Sequence, residues 1–276
     1  MQLGQMEITV VSDGAFRLDG GAMFGLVPKV LWERFHPADG HNRIRLGLNC
    51  LLVRTGTETI LIDTGLGDMH DDKFAQMYAV DKSAHHLQRD LAAADVRPDQ
   101  VDKVILSHLH FDHCGGNCQR VGDKVVATFP NATYHVNRGE LAIARNSDVR
   151  SRASYLSHTW ETLEQEGRLV ITEDNETVTE GVELLATPGH TRHHQSVLLH
   201  SDGATACFLA DLAPTPTHLK THYTMGFDLY PVMTMESKER ILDQALSERW
   251  LLLFEHAPDV LAGYLAENRQ LEPIEV

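Results

Sequence analysis

Basic side chains are scarce in this chain of 276 residues: 24 Lys and Arg stand against 39 Asp and Glu, a formal net charge of −15. Nucleic-acid binding rests on Lys and Arg neutralising phosphates, and with no Lys/Arg-rich block in the sequence a nucleic-acid partner is not expected. Long apolar runs are missing too, and none approaches the roughly 20 residues that a membrane-spanning helix needs. The opening stretch, MQLGQMEITVVSDGAF, lacks a basic region followed by a long hydrophobic one, so no secretory or targeting leader is expected. These absences predict a cytoplasmic chain with no membrane partner. Cysteine is limited to Cys50, Cys114, Cys118 and Cys207. Two of these lie in apolar runs, where cysteine acts as a small buried hydrophobe, and Cys114 and Cys118 have no second Cys/His pair at finger-like spacing. Neither a disulfide framework nor a zinc finger is expected.

What the chain does have is apolar content, 42% of its residues, enough for a sizeable core without staples. Strand-like runs include MEITVVSDG, NCLLVRTG, TETILIDTG, VDKVILS, ATYHVN, VELLATPG, SVLLHS and ATACFLAD. Helical periodicity marks SAHHLQRDLAAADV, RGELAIARNSDV, SYLSHTWETLEQEG and ESKERILDQALSE. Thr55-Gly56-Thr57 and Ser201-Asp202-Gly203 each separate two apolar runs and read as hairpin connections. The chain falls into two halves, each opening on hairpin-like strands and each containing helices. That pattern predicts one α/β domain spanning residues 1–276, with two sheets packed face to face and helices outside. Residues 20–47 stand apart: they are apolar without clean alternation, and Pro28 interrupts any helix there. The segment reads either as a peripheral helix packed on the sheets or as a substrate-lining wall or dimer contact.

The densest chemistry lies in VDKVILSHLHFDHCGGN. Directly after the apolar run Val104-Ile105-Leu106 come His108, His110, Asp112 and His113. In an extended segment side chains alternate faces, so His108, His110 and Asp112 can project together from a strand end, and a turn at Phe111-Asp112 lets His113 join them. Imidazole nitrogen and carboxylate oxygen suit Zn, Fe, Mn or Co, and burying such groups without a metal would leave several hydrogen bonds unmade. Later apolar runs end in His190, Asp211 and His256, each beside a turn or breaker, where α/β scaffolds place functional groups. Singly each is ambiguous. Together they supply enough ligands for two divalent metal ions.

The ordered set LIDTG, HLHFDH, TPGHT, the run ending in Asp211, and FEH resembles the metallo-β-lactamase superfamily along nearly the whole chain. The resemblance implies an αββα sandwich of two mixed sheets with a dinuclear centre at one edge. His108, His110 and His190 would hold the first metal and Asp112, His113 and His256 the second, with Asp211 bridging both. Asp63 would support the histidine loop, and His194 would act from behind the ligands rather than as one of them. In that mechanism a water shared by two metals, zinc first of all with Mn, Fe or Co as alternatives, is deprotonated near neutral pH, one metal polarises the carbonyl, and Asp112 shuttles the proton to the leaving oxygen.

Departures within the superfamily narrow the activity. True β-lactamases of this type carry Cys or Ser where Asp211 stands, diiron flavoprotein relatives carry Glu where His110 stands, and RNA-processing relatives have basic surfaces. The segments FRLDGGAMFGLVPKVLW, LADLAPTPTHL and GFDLYPVMTMESKERIL resemble the quorum-quenching lactonases of the YtnP type. The implied substrate is a small ester or lactone, an N-acyl-homoserine lactone first of all. The alternatives are an organophosphate or aryl-ester hydrolase related to methyl parathion hydrolase and a glyoxalase-II-like thioesterase. Other lactonases place a substrate-contacting Tyr three residues after the bridging Asp, where this chain has Pro214. His218, Tyr223 and Tyr230 are candidates to replace it, and Met23, Phe24, Leu26 and Trp32 are candidates for the substrate wall. The same resemblance is compatible with a homodimer.

Overall fold

In the computed structural model, which describes residues 1–275, the apolar runs form two seven-stranded sheets. The first half of the chain supplies β1 (Gln2–Leu3), β2 (Met6–Asp19), β3 (Arg43–Arg54), β4 (Thr59–Ile62) and β5 (Lys103–Ile105), then a separate hairpin of β6 (Cys118–Val121) and β7 (Lys124–Ala127), then β8 (Thr133–Asn137) and β9 (Leu169–Thr172). Its sheet order is β1-β2-β3-β4-β5-β8-β9, antiparallel up to β4 and parallel from β4 to β9. The second half supplies β10 (Thr177–Thr179), β11 (Val182–Ala186), β12 (Gln195–Ser201), β13 (Ala204–Phe208), β14 (Leu251–Leu253), β15 (Ala262–Leu265) and β16 (Leu271–Ile274), hydrogen-bonded in chain order. Helices follow as α1 (Gly20–Phe24), α2 (Lys29–Trp32), α3 (Asp72–Met77), α4 (Leu87–Ala93), α5 (Phe111–Cys114), α6 (Arg138–Arg145), α7 (Glu161–Gln165) and α8 (Pro231–Glu248). Among the described residues no helix is long and apolar enough to cross a membrane.

Strand alternation explains why the runs are apolar throughout instead of every second residue. Leu51, Val53, Ile60 and Ile62 point into a core shared with Val197, Leu199, Phe208, Leu251 and Leu253 of the other sheet. Their neighbours Cys50, Leu52 and Leu61 point the opposite way, into a second core with Leu87 and Leu91 of α4 and Leu141 of α6. On the far side, Leu198, Cys207 and Leu252 meet Ile241, Leu242 and Ala245 of α8. Strands buried on both faces need apolar side chains at every position, and the three stacked cores make the αββα sandwich.

The turn chemistry matches as well. Ser201-Asp202-Gly203 links antiparallel β12 and β13, with φ of 49° at Asp202 and 78° at Gly203, the left-handed pair that tight hairpins require. SYLSHTWETLEQEG, by contrast, is α-helical only over Glu161–Gln165, after a 3-10 turn at Ser157–Thr159. Just before it, Thr159 is held by Cys114 Sγ at 3.1 Å on its hydroxyl and by Cys118 Sγ at 3.7 Å on its carbonyl, so tertiary contacts override the local periodicity.

Residues 20–47 form α1 and α2 on either side of Pro28, which stands at the N-cap of α2, and end in the first residues of β3. Met23, Phe24, Val27 and Trp32 face inward and form a fourth cluster with Phe16, Leu46, Phe111 and Tyr223. Leu26 is 99% exposed, and Val30 and Phe35 also face outward. The expectation that Leu26 lines the substrate wall is corrected: it sits at the turn between two one-turn helices, pointing away from the sheets.

Candidate metal centre

The parallel strands β4 and β5 end side by side, and the segments that follow them are bonded together. Asp63 adopts the left-handed conformation, φ 55°, which a residue with a side chain accepts at a cost. In return its carboxylate accepts hydrogen bonds from Ser107 N at 2.7 Å and Ser107 Oγ at 2.6 Å, and lies 3.1 Å from His113 Nδ1. Thr64 N donates to His113 O at 2.7 Å and Gly115 N to Gly65 O at 2.8 Å. This approach explains the glycine pair after the histidines: a Cβ on Gly115 would lie 2.0 Å from the Leu66 carbonyl oxygen. The histidine loop is thus set by backbone contact, before any metal is considered.

Side chains from both halves of the chain then converge. His108, His110, His190 and Asp211 each offer a ligand atom within 4.8 Å of one another, and Asp112, His113 and His256 form a second such group. Asp211 adjoins both: its Oδ2 lies 3.0 Å from His190 Nε2 and 3.4 Å from His113 Nε2, and its Oδ1 lies 3.3 Å from His256 Nε2. All of these residues are buried. Yet Nε2 of His108, His110 and His113 and Oδ1 of Asp211 have no hydrogen-bond partner among the described residues. An unpaired buried polar atom costs about 1–3 kcal/mol, so several of them aimed at one place fit a cation far better than a dry core. The nitrogen and oxygen donors suit Zn, Mn, Fe or Co.

The electrostatics divide the imidazoles into two kinds. Burial, then repulsion among the imidazoles, holds His108 and His110 well below the usual histidine range, so both are neutral, the form that binds metal. Burial also opposes charge on His256, but Asp211 outweighs it and the imidazole is raised to about 9. Asp211 responds in kind: burial disfavours its charge, yet His190, His113 and His256 keep its carboxyl well below the usual range.

Behind the ligands stand groups that sequence reasoning passed over. Asp228 Oδ1 lies 3.1 Å from His190 Nδ1, and its Oδ2 accepts from Met225 N at 3.0 Å. The side chain of Glu140, on α6, takes hydrogen bonds from residues flanking three of the histidines. Glu255 Oε2 lies 2.8 Å from His113 Nδ1, the nitrogen that also faces Asp63. Asp228 falls inside GFDLYP, a segment singled out by resemblance, and Glu255 inside FEH; Glu140 carries no comparable mark. His194 lies behind Asp211: its Nδ1 meets Thr187 Oγ1 at 2.9 Å and its Nε2 accepts from Asp211 N at 3.1 Å, so it holds the backbone of Asp211. Its neighbour His193 lies over Gly139, where a Cβ would come within 2.4 Å of the ring. Replacing Asp228 with Ala frees His190 to rotate. Groups that fix a ligating His typically contribute 10–100-fold to metal affinity, so Asp228→Ala should lose metal to a chelator that much more readily, measured by competition with a chromogenic chelator.

The ligand cluster opens into a cavity of about 360 Å³ bordered by His110, Asp112, His190, Asp211 and His256. Met23, proposed for the substrate wall, lines it. Phe24, Trp32, His218 and Tyr223 do not, and their assignment is corrected. Phe24 is stacked between Trp32, 5.3 Å away, and His218, 4.6 Å away, with Tyr223 edge-on to it at 6.3 Å. His218 is further committed to Thr215 Oγ1 at 2.8 Å and to the Met23 carbonyl at 2.9 Å. These rings form the packing behind the wall. Tyr230 precedes α8, is 42% exposed and lies under the Arg192 guanidinium, outside the cavity.

Residues 43–256 match the metallo-beta-lactamase superfamily. The chain belongs to that superfamily. Within it, the chain is 26% identical over 224 residues to the N-acyl homoserine lactonase AiiA of Bacillus thuringiensis subsp. kurstaki, a match covering 77% of this chain and 82% of AiiA. Among solved structures, a probable metal-dependent hydrolase from Staphylococcus aureus is 27% identical, with a TM-score of 0.92 and full coverage of both chains. AidC, a dizinc quorum-quenching lactonase solved with a product, shares the fold at 20% identity, with a TM-score of 0.82 over 100% of this chain and 97% of AidC. With a superfamily match that spans every converging side chain, the protein is a metal-dependent hydrolase.

Proposed function

We propose that the protein opens lactone rings, N-acyl-homoserine lactones foremost, at a centre of two divalent transition-metal ions. One observation carries this reading: the cavity has the ligand cluster at its base and apolar side chains, Leu18, Met23, Phe111, Met225 and Leu229, on its walls. A polar ring at the base and an acyl tail along the walls match that division. The names of relatives support the same substrate class: AiiA is an N-acyl homoserine lactonase, and AidC was solved with an N-hexanoyl-homoserine product.

In this reading His108, His110 and His190 would hold one ion and Asp112, His113 and His256 the other, with Asp211 available to both. Zinc fits the donor set, as do Mn, Fe and Co. When bound, the ions would polarise the ester carbonyl and lower the pKa of a water toward neutrality. Asp112, which borders the cavity, takes the proton of the attacking water on its carboxylate and passes it to the departing ring oxygen. Asp63, Asp228 and His194 fix the orientations of His113, His190 and Asp211.

Burial of an acyl tail is favourable by about 0.8 kcal/mol per methylene, or roughly fourfold in kcat/KM per added carbon. Efficiency on homoserine lactones should therefore climb with tail length and level off once the cavity is full. The measurement is kcat/KM for a series of tail lengths beside a paraoxon-like triester and a glutathione thioester. Greater efficiency on the triester or the thioester, or indifference to tail length, removes the lactonase reading and leaves the metal-dependent hydrolase in place.

A further inference from the structure

The cavity wall carries a rigidly held hydrogen-bond donor that the ligand cluster does not use. Tyr78 closes α3 and lines the cavity together with Phe111 and Asp112. Its ring packs against Phe74, 4.5 Å between centroids, and Phe111, 5.4 Å. Its backbone is tied at both groups: its carbonyl accepts from Arg17 N of β2 at 2.7 Å, and its N–H donates to Phe74 O at 3.0 Å. The ring is therefore fixed while the phenol, half-buried at the wall, has no hydrogen-bond partner among the described residues. The buried hydroxyls of Tyr134 and Tyr155, in contrast, are both bonded, to Asn117 O and Glu140 Oε1. Burial, then the charge of Asp112, raises the Tyr78 phenol above its ordinary value, so it remains a proton donor at neutral pH.

Two other donors on the wall are at least partly engaged. Arg150 Nη2 donates to the carbonyls of Gly226 at 2.8 Å and Asp228 at 3.3 Å, and Ser151 Oγ donates to Asp148 Oδ1 at 3.1 Å. The remaining rivals are the hydroxyl of Ser154 and the Nε and Nη1 of Arg150, whose side chain is exposed where that of Tyr78 is half-buried.

We infer that Tyr78 is a catalytic residue whose Oη–H hydrogen-bonds the carbonyl oxygen of the ester under attack. The inference rests on the reading of this cavity as an ester-opening site. In the reaction, the water oxygen bonds to the acyl carbon and the carbonyl π pair moves onto the carbonyl oxygen. Its collapse re-forms the C=O bond and breaks the ring C–O bond, whose electron pair stays on the ring oxygen. That oxygen takes the proton that left the water, and the resulting hydroxy acid gives up its acidic proton to solvent. Tyr78 keeps its own proton throughout and donates most strongly when charge collects on the carbonyl oxygen, so the bond favours the transition state over the ground state.

The test is Tyr78→Phe, which keeps the ring and its packing. On N-hexanoyl-homoserine lactone kcat should fall 10–100-fold with KM within threefold of wild type. The penalty should shrink several-fold on the analogue with a C=S in place of the carbonyl, because sulfur accepts hydrogen bonds poorly. Without turnover, the affinity for ring-opened N-hexanoyl-homoserine, followed by calorimetry, should weaken about three- to tenfold. Metal content and melting temperature should match wild type. A kcat within threefold of wild type, an equal penalty on the C=S analogue, loss of metal, or a larger kcat loss in Ser154→Ala than in Tyr78→Phe overturns the assignment. A wild-type enzyme that cleaves an aryl ester but no lactone overturns the lactonase reading alone, and Tyr78 is then judged by the same ratio on that ester.

Discussion

Asp211→Ala should abolish turnover and strip metal from the protein in a single step. The wild-type chain, purified without chelator, is expected to carry two transition-metal ions by elemental analysis, and the variant one or none. The reason is geometric. Asp211 lies within 3.0–3.8 Å of His108, His113, His190 and His256, so the first group of ligand atoms loses a member and the second loses the carboxylate beside two of its imidazoles. It also follows Ala210, which is held at φ 46°, a conformation costly for alanine, and its own N–H is caught by His194. The fold spends strain to aim this carboxylate. Removing one partner of a buried charged cluster costs about 3–5 kcal/mol, which corresponds to a loss of about 10³-fold even before the chemistry suffers. His194→Ala should be milder, in the 10–100-fold range of groups that act through a ligand. A near-normal rate in Asp211→Ala would refute its role as the shared carboxylate.

The second large effect is expected at Glu140, which touches no candidate ligand atom. Its carboxylate is completely buried. Oε1 accepts from Tyr155 Oη at 2.8 Å and Leu109 N at 3.3 Å, and Oε2 accepts from Thr191 Oγ1 at 2.7 Å. Leu109 stands between His108 and His110, Thr191 follows His190, and the Tyr155 ring packs edge-on against His110 at 4.8 Å. One side chain on α6 therefore ties together the segments of three histidines. Glu140→Ala leaves three buried donors without an acceptor, each costing about 1–3 kcal/mol. The loss should be about 3–5 kcal/mol in stability, roughly a 10 °C fall in Tm for a chain of this size, accompanied by weaker metal retention. Glu140→Gln, which keeps the shape and one acceptor, should fall between. Calorimetry on the two variants decides it: an unchanged Tm and metal content in Glu140→Ala would mean that the hydrogen bonds do not hold the site.

Glu140 also shows where a sequence stops being readable. The candidate ligands stand at the ends of apolar runs, and a run followed by His or Asp is visible in one dimension. The sandwich was visible for a related reason: NCLLV and SVLL are apolar at consecutive positions because both strand faces are covered. A carboxylate that acts through hydrogen bonds to Leu109 and Thr191 has no such local mark, because the contact exists only after α6 docks beside the histidine loop. The wall of the cavity misled for a different reason. Phe24, Trp32 and His218 are apolar or aromatic near the right segments, but α1 and α2 are too short for periodicity to assign a face, and ring stacking draws them behind Met23. The strands β15 and β16 passed unnoticed because Gly263 and Pro273 interrupt the alternation that would announce them.

The two groups of ligand atoms share one property that bears on the life of the protein in a cell. His108 and His110 come from the half of the chain that builds the first sheet, His190 and Asp211 from the half that builds the second, and Asp112 and His113 are likewise joined by His256. An ion held by either group would cross-link the two halves, so its binding free energy would become folding free energy. By mass action, a free ion at about 100 times its Kd adds roughly 2.7 kcal/mol per site. Metal supply would then set how much of the protein survives proteolysis as well as how fast it works, and a metal-starved cell would lose the enzyme itself along with its activity.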